Sequence, residues 1–326
     1  MLAAVAVAQS AESPLDGLRV GEHPDPVPPP GWEVVRLRAA TLNHHDLWSL
    51  RGVGLAPGEL PRVLGCDGAG VTADGREVLL HAVVGEPSAG AGDETLDPAM
   101  SLLSERYDGT LADLVAVPSR NVVAKPATLS WGEAACLPTA WLTAYRMLFV
   151  RGGLRPGHRV LVQGAGGGVA TACLLLARAA GLTVYVTSRD ETRLARALEL
   201  GASEAVLSGA RLPSRVDAVM ETVGAATWSH SLKSLEPGGV VVVSGATSGP
   251  APSADLTRVF YRQLRVVGST MGTRRELEEL IRFLAESGVR PLIDSELPLA
   301  DARSAFERLD QGAAFGKVVV TMGDGG

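Results

Sequence analysis

RVLVQGAGGGVA, residues 159–170, decides the fold. Its first five residues form an apolar run of the kind that makes a strand buried on both faces of a parallel sheet. A turn dominated by glycine follows. GVATACLLLARAAG (168–181) then has the length and composition of a helix, with glycine as its C-terminal stop. Strand, glycine turn and helix in immediate succession are the context in which a dinucleotide fingerprint carries meaning. Glycine is needed because the turn demands unusual φ and because a pyrophosphate must approach bare N–H groups at a helix N-terminus. Read as G-x-G-x-x-G/A, the best register sets Ala165, Gly167 and Ala170 at the three positions, with Gly164, Gly166 and Gly168 adding freedom. Alanine at the first position is an imperfect match, and a glycine-rich turn without a ligand is the alternative. On the binding reading, Gly164, Ala165, Gly167, Gly168 and Val169 offer the backbone that a cofactor needs.

The pattern continues outward as alternating strand and helix: TVYVT (183–187), ETRLARALELG (191–201), then VDAVMET, VVVVSG and RVVGST. Such alternation predicts a doubly wound parallel sheet. One link is odd. Between AVL (205–207) and VDAVME (216–221) lie only SGARLPSR, whereas a parallel crossover usually takes about a dozen residues or more and contains a helix. Either a helix has shrunk to a loop at 208–215, or one of the strands is misread.

The end of the second strand chooses between nicotinamide cofactors. An acid there binds the ribose 2′-OH of NAD and repels a 2′-phosphate. The sequence has Thr187-Ser188-Arg189-Asp190 and then Arg193. Ser188 falls in the acid's slot, Arg189 is next to it, and Arg193 lies one helical turn on. Guanidinium suits phosphate through forked, charge-assisted donors, so the segment favours NADPH. Asp190 is the contrary signal, unless it caps the next helix; the arginines' alternative is a solvated helix face.

The first half reads differently. WEVVRLRAATL (32–42), REVLLHAV (76–83) and LADLVAV (111–117) are short β-rich runs broken by proline and glycine, which predicts a strand-rich, barrel-like domain. MLAAVAVAQSA at the start lacks the positive region of a signal peptide and reads as a first strand. Residues 85–109 are small, polar and weakly periodic and read as a surface loop. After residue 274 come an amphipathic helix (RRELEELIRFLAES), a strand (PLID), a helix (ADARSAFERLDQ) and a last strand (GKVVVT), which suggests a return to the first domain.

The bulk numbers bound the function. A chain of 326 residues has room for two domains. Apolar residues make up 46% and charged residues 20%, as in a folded protein with a large core. A net charge of −6 without a dense Lys/Arg cluster argues against nucleic acid. No apolar stretch approaches a membrane span. Three cysteines without pairing spacing fit a reducing cytoplasm and are too few for a four-cysteine zinc knuckle.

Several segments in this order resemble the medium-chain dehydrogenase/reductase superfamily, and within it the zinc-free quinone oxidoreductase and enone reductase branch. They include TLNHHDLWSLRG (41–52), LPRVLGCDGAGV (60–71), DGTLADLVAVP (108–118), AACLPTAWLTAYRML (134–148), VLVQGAGGGVA (160–170), LEPGGVVVVSG (235–245) and FGKVVVT (315–321). The resemblance implies an α/β chain with a GroES-like catalytic domain (1–127 and 274–326) around a Rossmann NADP(H)-binding domain (128–273). It also implies a substrate cleft between domains, a homodimer and a small-molecule substrate. Zinc-dependent relatives place a cysteine, a histidine–glutamate pair and a second cysteine on a catalytic metal. Those positions hold Asn43, Cys66-Asp67 and Thr139 here, so no metal is expected. His44, His45 and Asp46 adjoin Asn43, but on an extended chain neighbours point to opposite faces, so one histidine at most is aimed inward.

Without a Lewis acid, hydride transfer from NADPH to an already activated acceptor is the chemistry left. Asn43 and Thr139 are the catalytic candidates that the resemblance implies, and Tyr107 is the candidate acid in the loop. Cofactor contacts are implied at Asn43, Thr143, Gly245 and Lys317. Each has a bland alternative: Asn43 a turn former, Thr139 a helix cap, Lys317 a surface charge. Cys66 reads as a small packed residue and Asp67 as a hydrogen-bonding wall. Two further readings compete with an NADPH-dependent quinone or enone oxidoreductase. One is a metal-assisted alcohol dehydrogenase built on Cys66, Asp67 and a histidine. The other is a non-catalytic NADPH-binding protein of the same fold.

Overall fold

The computed structural model describes residues 1–323; the end of the expected 274–326 segment, residues 324–326, lies outside the described residues. The chain forms two compact units with an α/β fold. One comprises Trp141–Met271 and Glu286–Val289, the other Met1–Ala140, Gly272–Ala285 and the chain from Arg290 onward.

The opening stretch sits at the centre of the first of these. Arg159–Val162 is a strand flanked in parallel by Thr183–Ser188 on one side and Val216–Glu221 on the other. Glu204–Leu207 extends the sheet beyond the former, and Leu235–Val243 and Arg265–Gly268 extend it beyond the latter, all parallel. Strand order therefore reverses at Arg159–Val162, the switch point at which α/β sheets bind ligands beyond their strand ends. Helices Gly168–Ala179 and Glu191–Glu199 follow the first two strands. Leu161, Val219 and Val241 are fully buried in the sheet.

The odd link is real, and both strands that bound it are real. Residues 208–215 carry no helix between Glu204–Leu207 and Val216–Glu221. Crossing three strand spacings and returning along the sheet takes about 25 Å, and an extended link of this length reaches about 30 Å. The link is fastened instead of coiled. Leu212 is buried, Ser214 Oγ and Tyr185 Oη are 2.8 Å apart, and His230 Nε2 lies 2.8 Å from Ala210 O.

In the strand-rich unit, Trp32–Thr41 is the central strand. It pairs antiparallel with Asp67–Thr72 and Leu114–Pro118. Lys317–Thr321 pairs with its C-terminal end, and Ile293–Pro298 lies parallel beyond that, so the tail does return here. The last but one strand begins later than PLID suggests. The N-terminal strand, Leu2–Ala6, lies between Leu18–Glu22 and Arg62–Val63. Leu37, Leu47, Leu50, Leu80, Leu111, Phe306 and Val320 form the core.

Two expectations fail in this unit. Residues 85–109 are not simply a surface loop: Ser101–Leu102 pairs with Val83–Val84, and Glu94 and Ser101 through Ser104 are buried. Their small polar character hid this, because Glu94 and Ser104 find their partners at Arg274 N and Cys66 Sγ, distant in sequence. His44–Leu50 is a helix and not an extended turn. Asp46 makes it one, by accepting the Asn43 N–H at 2.8 Å from the third helical position.

Candidate functional site

Strand register assembles a buried polar cluster. Thr41 faces Asp67 across one strand pair and Val319 across the next, so the ends carrying Asp67, Thr41 and Lys317 meet. Lys317 is 2% exposed and Asp67 0%, which corrects the surface-charge alternative for the lysine. Lys317 Nζ donates to Leu42 O (2.8 Å), Asn43 Oδ1 (2.7 Å) and Asp67 Oδ2 (3.2 Å). Asp67 Oδ2 also accepts from Thr41 Oγ1 (2.6 Å) and Asn43 Nδ2 (2.8 Å). An ion pair this deep holds only when hydrogen bonds replace the lost water, and here they do for one of the two carboxylate oxygens. Asp67 Oδ1 is buried without a partner.

Thr139 lies in the widened, π-helical turn Leu137–Trp141, where Pro138 lacks the N–H of a regular helix. Its Oγ1 is likewise buried and unpartnered. Tyr107 is not bonded to this cluster; its ring packs on Trp32 with centroids 4.9 Å apart.

LGCDGAG serves both this cluster and a second one beside it. Gly65 has φ +97°, and a Cβ there would come within 2.8 Å of Leu111 N. Its N–H donates to Asp46 Oδ1 at 2.9 Å. Cys66 is fully buried and more than filler: Sγ lies 3.2 Å from Leu103 O, 3.4 Å from Ser104 Oγ and 3.5 Å from His45 Nδ1. His45 Nε2 lies 3.0 Å from Glu105 Oε1. Burial pushes the Cys66 thiol up, so it stays protonated. Burial opposes charge on His45, but Cys66 and Glu105 on its two nitrogens outweigh this and raise it well above its usual range. Ser104 and Glu105 escaped the sequence reading because they lie in the segment taken for a surface loop; an acid and a hydroxyl next to the buried run SLL were the available signal.

The residues at the family's metal positions do not fit a divalent ion. The Asn43 carbonyl and one Asp67 oxygen are already committed to an ammonium. A dication about 4 Å from that ammonium meets a repulsion of about 8 kcal/mol at an effective dielectric near ~20. His45, Asp46 and Cys66 bring ligand atoms within 4.8 Å of one another. Both Asp46 oxygens, however, accept backbone N–H groups, from Asn43 and Gly65. Asp46 would have to be the third of the three protein ligands that catalytic zinc takes while also holding both of these N–H groups.

In the parallel-sheet unit, the turn after Arg159–Val162 takes positive φ at Gly164 (+81°) and Gly166 (+100°). Glycine is thus required one residue before the Ala165 and Gly167 register. Gly167 caps helix Gly168–Ala179 with ordinary extended angles, leaving first-turn N–H groups of Gly168 and Val169 without helical acceptors. Gln163 and Thr187 brace the turn from below: Thr187 Oγ1 donates to Gln163 Oε1 at 2.6 Å and accepts the Gly164 N–H at 3.2 Å. Ser188 is buried, and its Oγ accepts the Asp190 N–H at 3.1 Å. Asp190 caps helix Glu191–Glu199 through Thr192 N at 2.8 Å. Arg189 is exposed, and Arg193 Nη1 reaches Ala165 O at 3.3 Å, folding over the glycine turn. Gly245 follows strand Leu235–Val243, where a Cβ would sit 3.1 Å from Thr222 O. Thr143 is buried in the short helix Leu142–Tyr145.

Comparison with known proteins follows the same lines. The family model for zinc-binding dehydrogenases matches residues 168–286. A zinc-type alcohol dehydrogenase-like protein of Leptosphaeria maculans is 30% identical, covering 91% of this chain and 92% of its own. The acryloyl-coenzyme A reductase of Metallosphaera sedula is 31% identical over 94% of this chain and 96% of its own. The chain belongs to the medium-chain dehydrogenase/reductase superfamily. A crystal structure of an NAD-dependent alcohol dehydrogenase superposes with a TM-score of 0.90 at 35% identity, covering 99% of this chain and 100% of that one. This member of the superfamily is an oxidoreductase with a GroES-like and a Rossmann unit. No helix among its described residues is long and apolar enough to cross a membrane.

Proposed function

We propose that the protein is an NADPH-dependent reductase that transfers hydride to a quinone or an α,β-unsaturated carbonyl without a metal. The observation that carries this reading is the Lys317–Asp67–Asn43 cluster, a cation of the chain's own at residues where zinc-dependent relatives hold metal. When bound, NADPH supplies the hydride, which adds to the acceptor's electrophilic carbon while an electron pair moves onto its oxygen. Hydrogen-bond donors stabilise that oxyanion, and Asn43 is the donor best suited. The proton that completes the reduction comes from water. The name of the acryloyl-coenzyme A relative supports an activated double bond as acceptor.

For the cofactor, Arg189 and Arg193 flank Ser188, and Asp190 is engaged as a helix cap, which favours a 2′-phosphate. The NAD-dependent structural relative points the other way, so the assignment stands on those residues. A screen of NADPH and NADH oxidation against quinones, enones, aldehydes and ketones tests the reading. Turnover of enones or quinones with NADPH by chelator-washed protein is expected. Stoichiometric zinc with alcohol oxidation would establish the dehydrogenase alternative, and tight NADPH binding without turnover the non-catalytic one.

A homodimer belongs to the same proposal. Arg265–Gly268 is an edge strand, and Val266, Phe260 and Tyr261 near it are 50%, 69% and 80% exposed, a surface that a second copy would cover. Sedimentation of Phe260→Asp is expected to show monomer where the native chain is dimeric; an unchanged dimer would place the interface elsewhere.

A further inference from the structure

The Asn43 side chain is half-buried and held from both ends. Lys317 Nζ donates to its Oδ1 at 2.7 Å, and its Nδ2 donates to Asp67 Oδ2 at 2.8 Å. That polarity cannot reverse. Turning the amide over would set its NH2 against the ammonium and its carbonyl against the carboxylate. The three ammonium hydrogens all go to internal acceptors, on Leu42, Asn43 and Asp67. Lys317 therefore has no hydrogen to give a ligand, but it polarises an amide that does. A primary amide nitrogen carries two hydrogens, and Nδ2 spends one of them on Asp67.

A second observation points to a polar ligand here. Buried polar atoms almost always have partners, yet Asp67 Oδ1 and Thr139 Oγ1 have none. The segment bearing Thr139 lies against the cluster, since Thr41 Oγ1 reaches Ala135 O at 3.4 Å.

We infer that Lys317 and Asp67 are positioning residues that lock the Asn43 amide, so that its remaining N–H donates to the oxyanion formed on the acceptor. The inference rests on the reductase reading and deepens it. Where relatives use a metal to draw charge onto the acceptor oxygen, this chain uses an amide polarised by a buried ammonium. No proton is transferred from the cluster; the amide donates a hydrogen bond and keeps its hydrogen.

The test uses the full-length protein with NADPH and 2-cyclohexen-1-one. It adds 4-nitrophenolate binding to the protein–NADP+ complex as an oxyanion probe that needs no turnover. Asn43→Ala is expected to lower kcat by about 100-fold while the NADPH KM stays within about twofold. The neutralised pair Asp67→Asn/Lys317→Met keeps the packing without a stranded charge and is expected to lose a similar factor. Combining all three substitutions should cost little more, because they act through one donor. Phenolate affinity should fall by about 10-fold or more in each variant. A kcat for Asn43→Ala within about threefold of the native value, losses that multiply, or unchanged phenolate affinity would each overturn the inference. If the paired variant does not fold, Asp67→Asn alone takes its place in the same kcat and phenolate comparisons, and a kcat within about threefold of the native value would again overturn the inference. A native protein that reduces neither enones nor quinones defeats the reductase reading instead, and the phenolate measurements still decide the amide lock.

Discussion

Lys317→Met is expected to destabilise the strand-rich unit by about 3–5 kcal/mol, the usual cost of breaking a buried ion pair from one side. The methionine fills most of the volume, so the loss comes from charge and hydrogen bonding. Asp67 is 0% exposed, and without the ammonium its Oδ2 keeps only neutral donors, from Thr41 and Asn43. Its Oδ1 has no partner to begin with. Adding Asp67→Asn should restore a large part of the loss, because no net charge is then left in the interior. Since the chain folds as two units, a single unfolding midpoint is an unsafe measure. Hydrogen exchange of strands Asp67–Thr72 and Lys317–Thr321 reads the affected unit directly. Protection lowered by less than a kcal/mol or so, or no recovery in the double variant, would mean that the pair contributes little.

The second large effect concerns the cofactor. Arg189→Ala with Arg193→Ala is expected to weaken NADPH by about 10- to 100-fold while NADH changes by no more than about twofold. At an exposed site each guanidinium–phosphate contact is worth about 1 kcal/mol, so losing two costs a factor of this order. Arg189 is exposed at the end of the strand, and Arg193 already lies over the glycine turn at Ala165 O. On the proposed cofactor assignment, both are partners of a 2′-phosphate beside Ser188. Equilibrium titration of each nucleotide measures the ratio. Equal losses for the two would show that the arginines act on the shared part of the cofactor or only shape the turn.

The parallel sheet was legible because its signals are local. Residues 159–170 hold the strand, the glycine turn and the helix start within one continuous run, and the next strands repeat the pattern. At 208–215 chain length showed that something was missing, a crossover helix or a strand, and the structure decided for the helix. The helix-capping role of Asp190 was legible for the same reason, since the N–H groups that donate to it lie two and three residues on. Hydrogen bonds that close over one helical turn leave their mark in adjacent letters.

The strand-rich unit was less readable where its chemistry lies. NHHDLW reads as an extended turn, yet it is helical because Asp46 reaches back to Asn43 and across to Gly65. The histidine that faces inward is His45, and its partner Glu105 lies 60 positions away in a segment whose composition suggests only solvent. Small polar residues look alike in sequence whether water or the protein interior satisfies them.

Sequence alone determined the order of strands and helices in the parallel-sheet unit, the glycine turn and the superfamily. Only the tertiary structure decided that Lys317 meets Asn43 and Asp67 in the interior. Lys317 lies 250 positions from Asp67, and it reaches it only because three strands pair in one register. A slip of one residue between Lys317–Thr321 and Trp32–Thr41 would turn the lysine to the other face, and one between Trp32–Thr41 and Asp67–Thr72 would turn Asp67 away. A lysine on a strand can be a solvated charge or a buried cation, and nothing in its neighbours along the chain distinguishes the two. The difference lies in which acceptors the fold brings within hydrogen-bonding distance, here Leu42, Asn43 and Asp67.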